Sequence, residues 1–155
     1  MTVRKPVVII GIGNPYRRDD GIGPAVAAAL EELSPPGADV VVADGEPAAL
    51  IEMWTGRDLA VIIDAVRCEP TAPGRIWRSS GADLGGPTAA ASSHAFGIPD
   101  ALRLGQVLGR VPGRLVVFAV EAARLDLGTG LSPEVAATLP GVVQAVLGEL
   151  ASTRC

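Results

Sequence analysis

The densest chemistry in the chain lies in Gly11-Ile12-Gly13-Asn14-Pro15-Tyr16-Arg17-Arg18-Asp19-Asp20-Gly21-Ile22-Gly23. Its glycines allow close approach of backbone, and its two carboxylates stand together at the start of a helix. Another acid, Asp64, directly follows Val61-Ile62-Ile63, and the sole histidine, His94, stands in Ser92-Ser93-His94 just ahead of a further helix. Taken singly, each has a plainer reading: Asp19 or Asp20 as a helix cap, Asp64 as a turn-former at a strand end, His94 as a loop residue. Taken together at one rim, two carboxylates and an imidazole make an open site for a divalent ion.

Other chemistries fail on spacing. A strand followed by Gly-x-Gly invites a dinucleotide reading, but the third glycine position is Tyr16, and the two acids that follow would repel a pyrophosphate at the helix start. There is no Gly-x-Ser-x-Gly elbow and no His-Glu-x-x-His zinc helix. Cys68 reads as a small packing residue.

The elements that must position these side chains follow from hydrophobic pattern. Pro6 to Gly13 is a β-branched run without polar alternation, the mark of a strand buried on both faces. Ile22, Val26, Ala27, Leu30 and Leu33 then recur at helical spacing until Pro35-Pro36-Gly37. A strand over Asp39 to Ala43, a helix over Pro47 to Trp54 and a buried strand over Leu59 to Val66 complete two βαβ units. Further on, the pattern predicts a short strand over Gly74 to Arg78, a mobile loop over Ser79 to Ser93, a helix over Ile98 to Leu108 and a strand over Arg114 to Val120. A last helix should be capped by Ser132, with Pro133 at its first position, and run to Leu150. This alternation predicts one three-layer α/β/α domain spanning residues 1–155, with a mostly parallel central sheet of about five strands. In such a sheet ligands bind at the carboxyl ends of the strands, so Asp64 is expected at the exit of its strand, on the rim that also carries the first loop.

Composition narrows the function. Of 155 residues, 48% are hydrophobic and 19% charged, enough to bury a core. With 13 Lys+Arg against 17 Asp+Glu the net charge is -4, which leaves no surplus cation for a phosphate backbone and argues against nucleic acid. The longest apolar runs are far shorter than the roughly 20 residues that cross a bilayer, so no membrane span and no signal peptide is expected. Two cysteines suit a reducing cytoplasm rather than a disulfide framework.

Gly11-Ile12-Gly13-Asn14, Asp19-Asp20-Gly21-Ile22-Gly23, Asp64-Ala65 and His94, in that order and at that spacing, resemble the hydrogenase maturation proteases, and the likeness covers nearly the whole chain. Glu121 and Gly128-Thr129-Gly130-Leu131-Ser132-Pro133 resemble the family's stretch before its last helix. The resemblance implies an endopeptidase that removes the C-terminal extension of a nickel-iron hydrogenase large-subunit precursor after nickel has been inserted. It implies Asp20, Asp64 and His94 as the catalytic, metal-contacting triad, Asp20 standing where the family has either Asp or Glu. Gly13, Asn14 and Asp19 would then face the substrate together with Asp44, Gly45 and Glu46. In that second loop Glu46 stands where the family more often has a glycine, so its shape is expected to help choose the substrate tail. Carboxylate and imidazole suit nickel, zinc and iron alike, so the resemblance alone selects nickel, carried in by the substrate. No small-molecule cofactor is expected. The docked metal would align the peptide and either polarise its carbonyl or orient a water, with a carboxylate as base.

Two rivals stand beside this reading. A peptidyl-tRNA hydrolase also has a Gly-x-Gly-Asn-Pro turn, but it needs a histidine soon after that turn and a basic face. A nickel-sensing chaperone of the large subunit would bind the tail and leave it uncut.

Overall fold

In the computed structural model, which describes residues 4–80 and 97–153, the uninterrupted apolar runs form β1 (Val7–Ile12), β3 (Leu59–Val66) and β5 (Arg114–Glu121). With β2 (Ala38–Ala43) and β4 (Ile76–Ser80) they build a five-stranded sheet in the order β2-β1-β3-β5-β4. All pairings are parallel except that of β4 with β5. The helices are α1 (Ile22–Leu33), α2 (Pro47–Trp54), α3 (Gly97–Leu108), the short α4 (Pro133–Ala136) and α5 (Leu139–Thr153), and a single 3-10 turn, Arg18–Gly21, precedes α1.

Alternate residues of β1 explain the layering. Val7 and Ile9 join Ile22, Val26 and Leu30 of α1 and Val142, Val143, Val146 and Leu150 of α5 in one core. Val8, Ile10 and Ile12 join Leu50, Ile51 and Trp54 of α2 and Ile98 and Ala101 of α3 in the other. Each fully buried side chain of this size contributes about 1.5–3 kcal/mol, more than the roughly 1 kcal/mol of an ordinary hydrogen bond. The loops at the sheet's rim are therefore held by the strands beneath them. Trp54 is fully buried, and its indole N–H donates to the carbonyl of Arg110 at 3.0 Å.

Several boundaries differ from those read in the sequence. The fourth strand is Ile76–Ser80, not Gly74 to Arg78. Pro73-Gly74 is taken up by a turn in which the Gly74 amide donates to the Glu121 carbonyl at 2.9 Å. Ser79 and Ser80 thus belong to the sheet, while the rest of the loop expected up to Ser93 lies outside the described residues. The last helix is broken after Ala136: the Thr138 hydroxyl donates to the Val135 carbonyl at 2.6 Å, and Pro140, which has no amide to donate, falls in the first turn of α5. Ser132 does occupy the position before α4, but its side chain makes no capping bond. Leu33, expected on the buried face of α1, is exposed. By length and composition alone, the stretch Pro133–Ser152 is long and apolar enough to cross a membrane. It carries Glu134 and Glu149, and its valines, Val135, Val142, Val143 and Val146, pack into the core.

Candidate active site

The strand order places a topological switch point at the sheet's centre. From β1 the chain passes through α1 to β2 on one side, while β3 has β5 on its other side, so a crevice opens at the carboxyl ends of β1 and β3. Asp64 belongs to this crevice for a reason the sequence did not disclose. It is not at the exit of β3 but inside it, followed by Ala65 and Val66, which pair with Val120 and Glu121 of β5. The pairing of β1 with β3 ends at Gly11 and Ile63, so Asp64 lies one residue beyond it, where the β1 chain is turning away. It is 1% exposed, and its Oδ1 accepts the Ala65 amide at 2.8 Å.

Asp20 reaches the same rim because the start of α1 lies directly on the sheet. A Cβ on Gly23 would stand 2.3 Å from the Ile12 carbonyl oxygen and 2.8 Å from that of Ile63, the residue before Asp64, so only glycine permits this approach. One turn earlier the 3-10 turn packs against β3 and carries Asp20, 3% exposed, whose Oδ2 accepts the Asn14 amide at 2.8 Å. Gly13, at φ +146°, closes the loop so tightly that a Cβ there would fall 1.8 Å from the Asp20 carbonyl oxygen. Neither aspartate caps α1: the position before the helix is Gly21, with no side-chain cap.

Asp19 turns the other way. It is fully buried, its Oδ1 accepts the Ser132 amide at 2.7 Å, and its Oδ2 accepts the amides of Ala123 and Arg124, both at 2.8 Å, and the Ser132 hydroxyl at 2.9 Å. Its carboxylate therefore ties the Asp20 turn to the segment after β5. No local pattern announces this tie, because its partners lie more than a hundred residues away.

The second loop borders the first: the Gly13 amide donates to the Ala43 carbonyl at 3.1 Å. Gly45 is left-handed at φ +92°, and Asp44 Oδ1 accepts the Glu46 amide at 3.0 Å. Glu46 folds back to cap α2, accepting the amides of Ala48 at 3.2 Å and Ala49 at 3.1 Å. Its charge serves the helix start, which favours an anion.

Glu121, the last residue of β5, is another acid in an otherwise apolar strand, as Asp64 is, and is 2% exposed. It accepts the Ala72 amide at 2.9 Å and the Trp77 indole N–H at 2.8 Å, holding the segment between β3 and β4. Burial opposes its ionisation, but the Ala72 amide, the Trp77 indole, the Cys68 thiol and the Arg75 charge together outweigh it and bring its pKa below the ordinary value. The same contact acts oppositely on Cys68, whose pKa is raised by burial and then by the Glu121 charge, so the thiol is a poor nucleophile. A carboxylate with a lowered folded pKa contributes stability that is complete above its unfolded pKa and drains away as pH falls toward the folded one. Urea unfolding of Glu121→Gln and of the unaltered chain, compared at pH 7 and below about pH 4, should show the stability difference shrinking on acidification. A constant difference would mean that Glu121 is not held ionised.

Of the three expected metal-contacting residues, Asp20 and Asp64 are brought to one rim, and His94 lies outside the described residues. Among the described residues no group of three His, Cys, Asp or Glu is arranged to hold a metal ion.

Fold and rim together define a class: a doubly wound α/β domain with paired buried aspartates at the switch point of its sheet. Within that class, the family model described as hydrogenase maturation protease matches residues 24–149, and the chain belongs to that family. It is 28% identical over 147 residues to the hydrogenase 2 maturation protease of Escherichia coli K12, covering 93% of this chain and 90% of that protein. The hydrogenase maturating endopeptidase HybD from E. coli superposes with a TM-score of 0.79 at 25% identity, over 95% of this chain and 93% of the other. The NiFe hydrogenase maturation protease HybD from Thermococcus kodakarensis superposes with a TM-score of 0.74 at 28% identity, over 94% and 98%. The membership makes the chain a protease of hydrogenase maturation.

Proposed function

We propose that this protein removes the C-terminal extension from a nickel-iron hydrogenase large-subunit precursor once nickel is in place, with Asp20, Asp64 and His94 receiving the nickel that the precursor carries. The observation that supports this most is the pair of buried aspartates, each anchored through one oxygen to a backbone amide, at the switch point of a chain of this family. Two carboxylates and one imidazole form an incomplete donor set, suited to a metal that arrives already held by its substrate. Docking there sets the scissile peptide against the rim. One carboxylate takes a proton from the attacking water as the new C–O bond forms, and the amide nitrogen leaves protonated as the C–N bond breaks. The loop from Asp44 to Glu46, stiffened by its own hydrogen bonds, shapes the approach of the tail.

The test is to mix the protein with nickel-loaded and with nickel-free precursor and follow the mass of the large subunit. Shortening of the nickel-loaded form alone is the expected result. Shortening of both would remove the metal from the mechanism, and shortening of neither would leave a binding protein that does not cut.

A further inference from the structure

The face of the sheet that carries Asp64 is open at one point. Ala60, Ile62 and Asp64 alternate along β3, and Leu115, Val117, Ala119 and Glu121 alternate along β5, so these side chains share the face that packs on α2 and α3. From Leu115 to Glu121 every residue of β5 is buried except Ala119, which is half-buried. Ala119 is the register partner of Asp64 in β3 and, on its other side, of Trp77 in β4. Paired residues point the same way, so Asp64, Ala119 and Trp77 form one row across three neighbouring strands. Strands lie about 4.8 Å apart, and the row therefore leaves a notch one strand wide, floored by a methyl group between a carboxylate and an indole.

The indole wall is fixed from two directions. Trp77, 41% exposed, donates its N–H to Glu121 at 2.8 Å, and the Arg75 guanidinium lies 4.0 Å from its ring centroid. Glu121 stands on the same face two residues nearer the rim, and its other oxygen accepts the Ala72 amide at 2.9 Å. The polar groups beside the notch are thus engaged with one another, and what they leave bare is the Ala119 methyl and the carbon surface of the indole. The next pair away from the rim is Val117 with Ser79, of which Val117 is buried. A polar group seated on Ala119 would shed its water without gaining a partner, a cost that an apolar side chain does not bear. The position also fixes the occupant. Successive Cα atoms of a peptide are about 3.8 Å apart, so when a peptide bond is held at the Asp64 carboxylate, a residue flanking that bond comes within reach of Ala119 on the adjoining strand.

We infer that the notch between Asp64 and Trp77 is the subsite for one of the two precursor residues flanking the cleaved bond, that it takes an apolar side chain, and that Ala119 and Trp77 set the size accepted. This rests on the proposed function and adds the residues that choose the substrate side chain next to the cut. Glu121 serves the subsite as a positioning residue, holding Trp77 in place.

The measurement is steady-state cleavage of nickel-loaded large-subunit precursor, the cut bond being located from the mass of the released peptide. Each residue flanking that bond is replaced in turn by Ala, Leu and Asn, in precursors matched for nickel content. The unaltered protein, Ala119→Leu and Trp77→Ala are compared on all of them, with thermal melts to check folding. At one of the two positions the unaltered protein should prefer Leu to Asn by about tenfold in kcat/KM. Ala119→Leu fills the notch, so it should slow the Leu precursor at that position about thirtyfold and the Ala precursor less than threefold. Trp77→Ala removes the wall and should shrink the preference for Leu over Ala there. If the unaltered protein leaves the precursor uncut, the proposed function fails and this subsite with it. If it cuts, yet Ala119→Leu changes every precursor by the same factor at both positions, the notch does not hold a flanking side chain. Should Ala119→Leu fail to fold, Trp77→Ala decides: an unchanged preference for Leu over Ala at both positions overturns the assignment.

Discussion

Asp64→Asn should lower processing of nickel-loaded precursor by about 10²- to 10⁴-fold, the usual contribution of a positioned acid or base, while leaving the thermal midpoint nearly unchanged. The substitution is isosteric, and the asparagine carbonyl oxygen can keep the bond from the Ala65 amide. What it removes is one negative charge from a side chain 1% exposed, and deleting a buried charge with its shape preserved is often neutral for stability. Activity and folding are therefore separable at this position. Mass spectrometry of the large subunit against time gives the first quantity and a melting curve the second. Activity within about threefold of the unaltered chain would exclude the Asp64 carboxylate from the chemistry.

Asp19→Ala should do the reverse in kind, costing about 2–4 kcal/mol of stability because buried donors lose their acceptor. Three backbone amides and one hydroxyl now converge on that carboxylate. Removing it leaves them to water, where water can reach, and detaches the segment after β5 from the Asp20 turn. Asp19→Asn keeps one acceptor oxygen and should fall between the two. Urea titration reads both variants, and a loss below about 1 kcal/mol for Asp19→Ala would show that the segment is held by other contacts.

These two neighbours in sequence illustrate what could be read beforehand. The β-branched runs of β1, β3 and β5 announced a buried parallel sheet because a strand covered on both faces leaves no polar alternation, and the structure has that sheet. Asp19 and Asp20 could not be told apart by type or position, since both head toward the same helix. Only the fold sends one into a distant segment and the other to the rim. Asp64 was legible as an acid where a buried strand should continue, but its use depends on where β1 stops pairing, which is a property of the register of two strands. The antiparallel direction of β4 was not legible either. It depends on its pairing with β5 and on the Glu121 contacts with Ala72 and Trp77, which lie far apart in sequence. The break in the last helix is written in Thr138 and Pro140, but the apolar spacing runs on through it and conceals it.

The ties of Asp19 also bear on the order in which the molecule is completed during synthesis, which proceeds from the amino terminus. Both aspartates of the rim and the three strands β2, β1 and β3 lie within the first 66 residues, whereas Ala123, Arg124 and Ser132 leave the ribosome much later. A nascent chain can thus hold three of the five strands while the turn that bears Asp20 still lacks its fastening. The fastening of that turn is completed only by residues near the far end of the polypeptide.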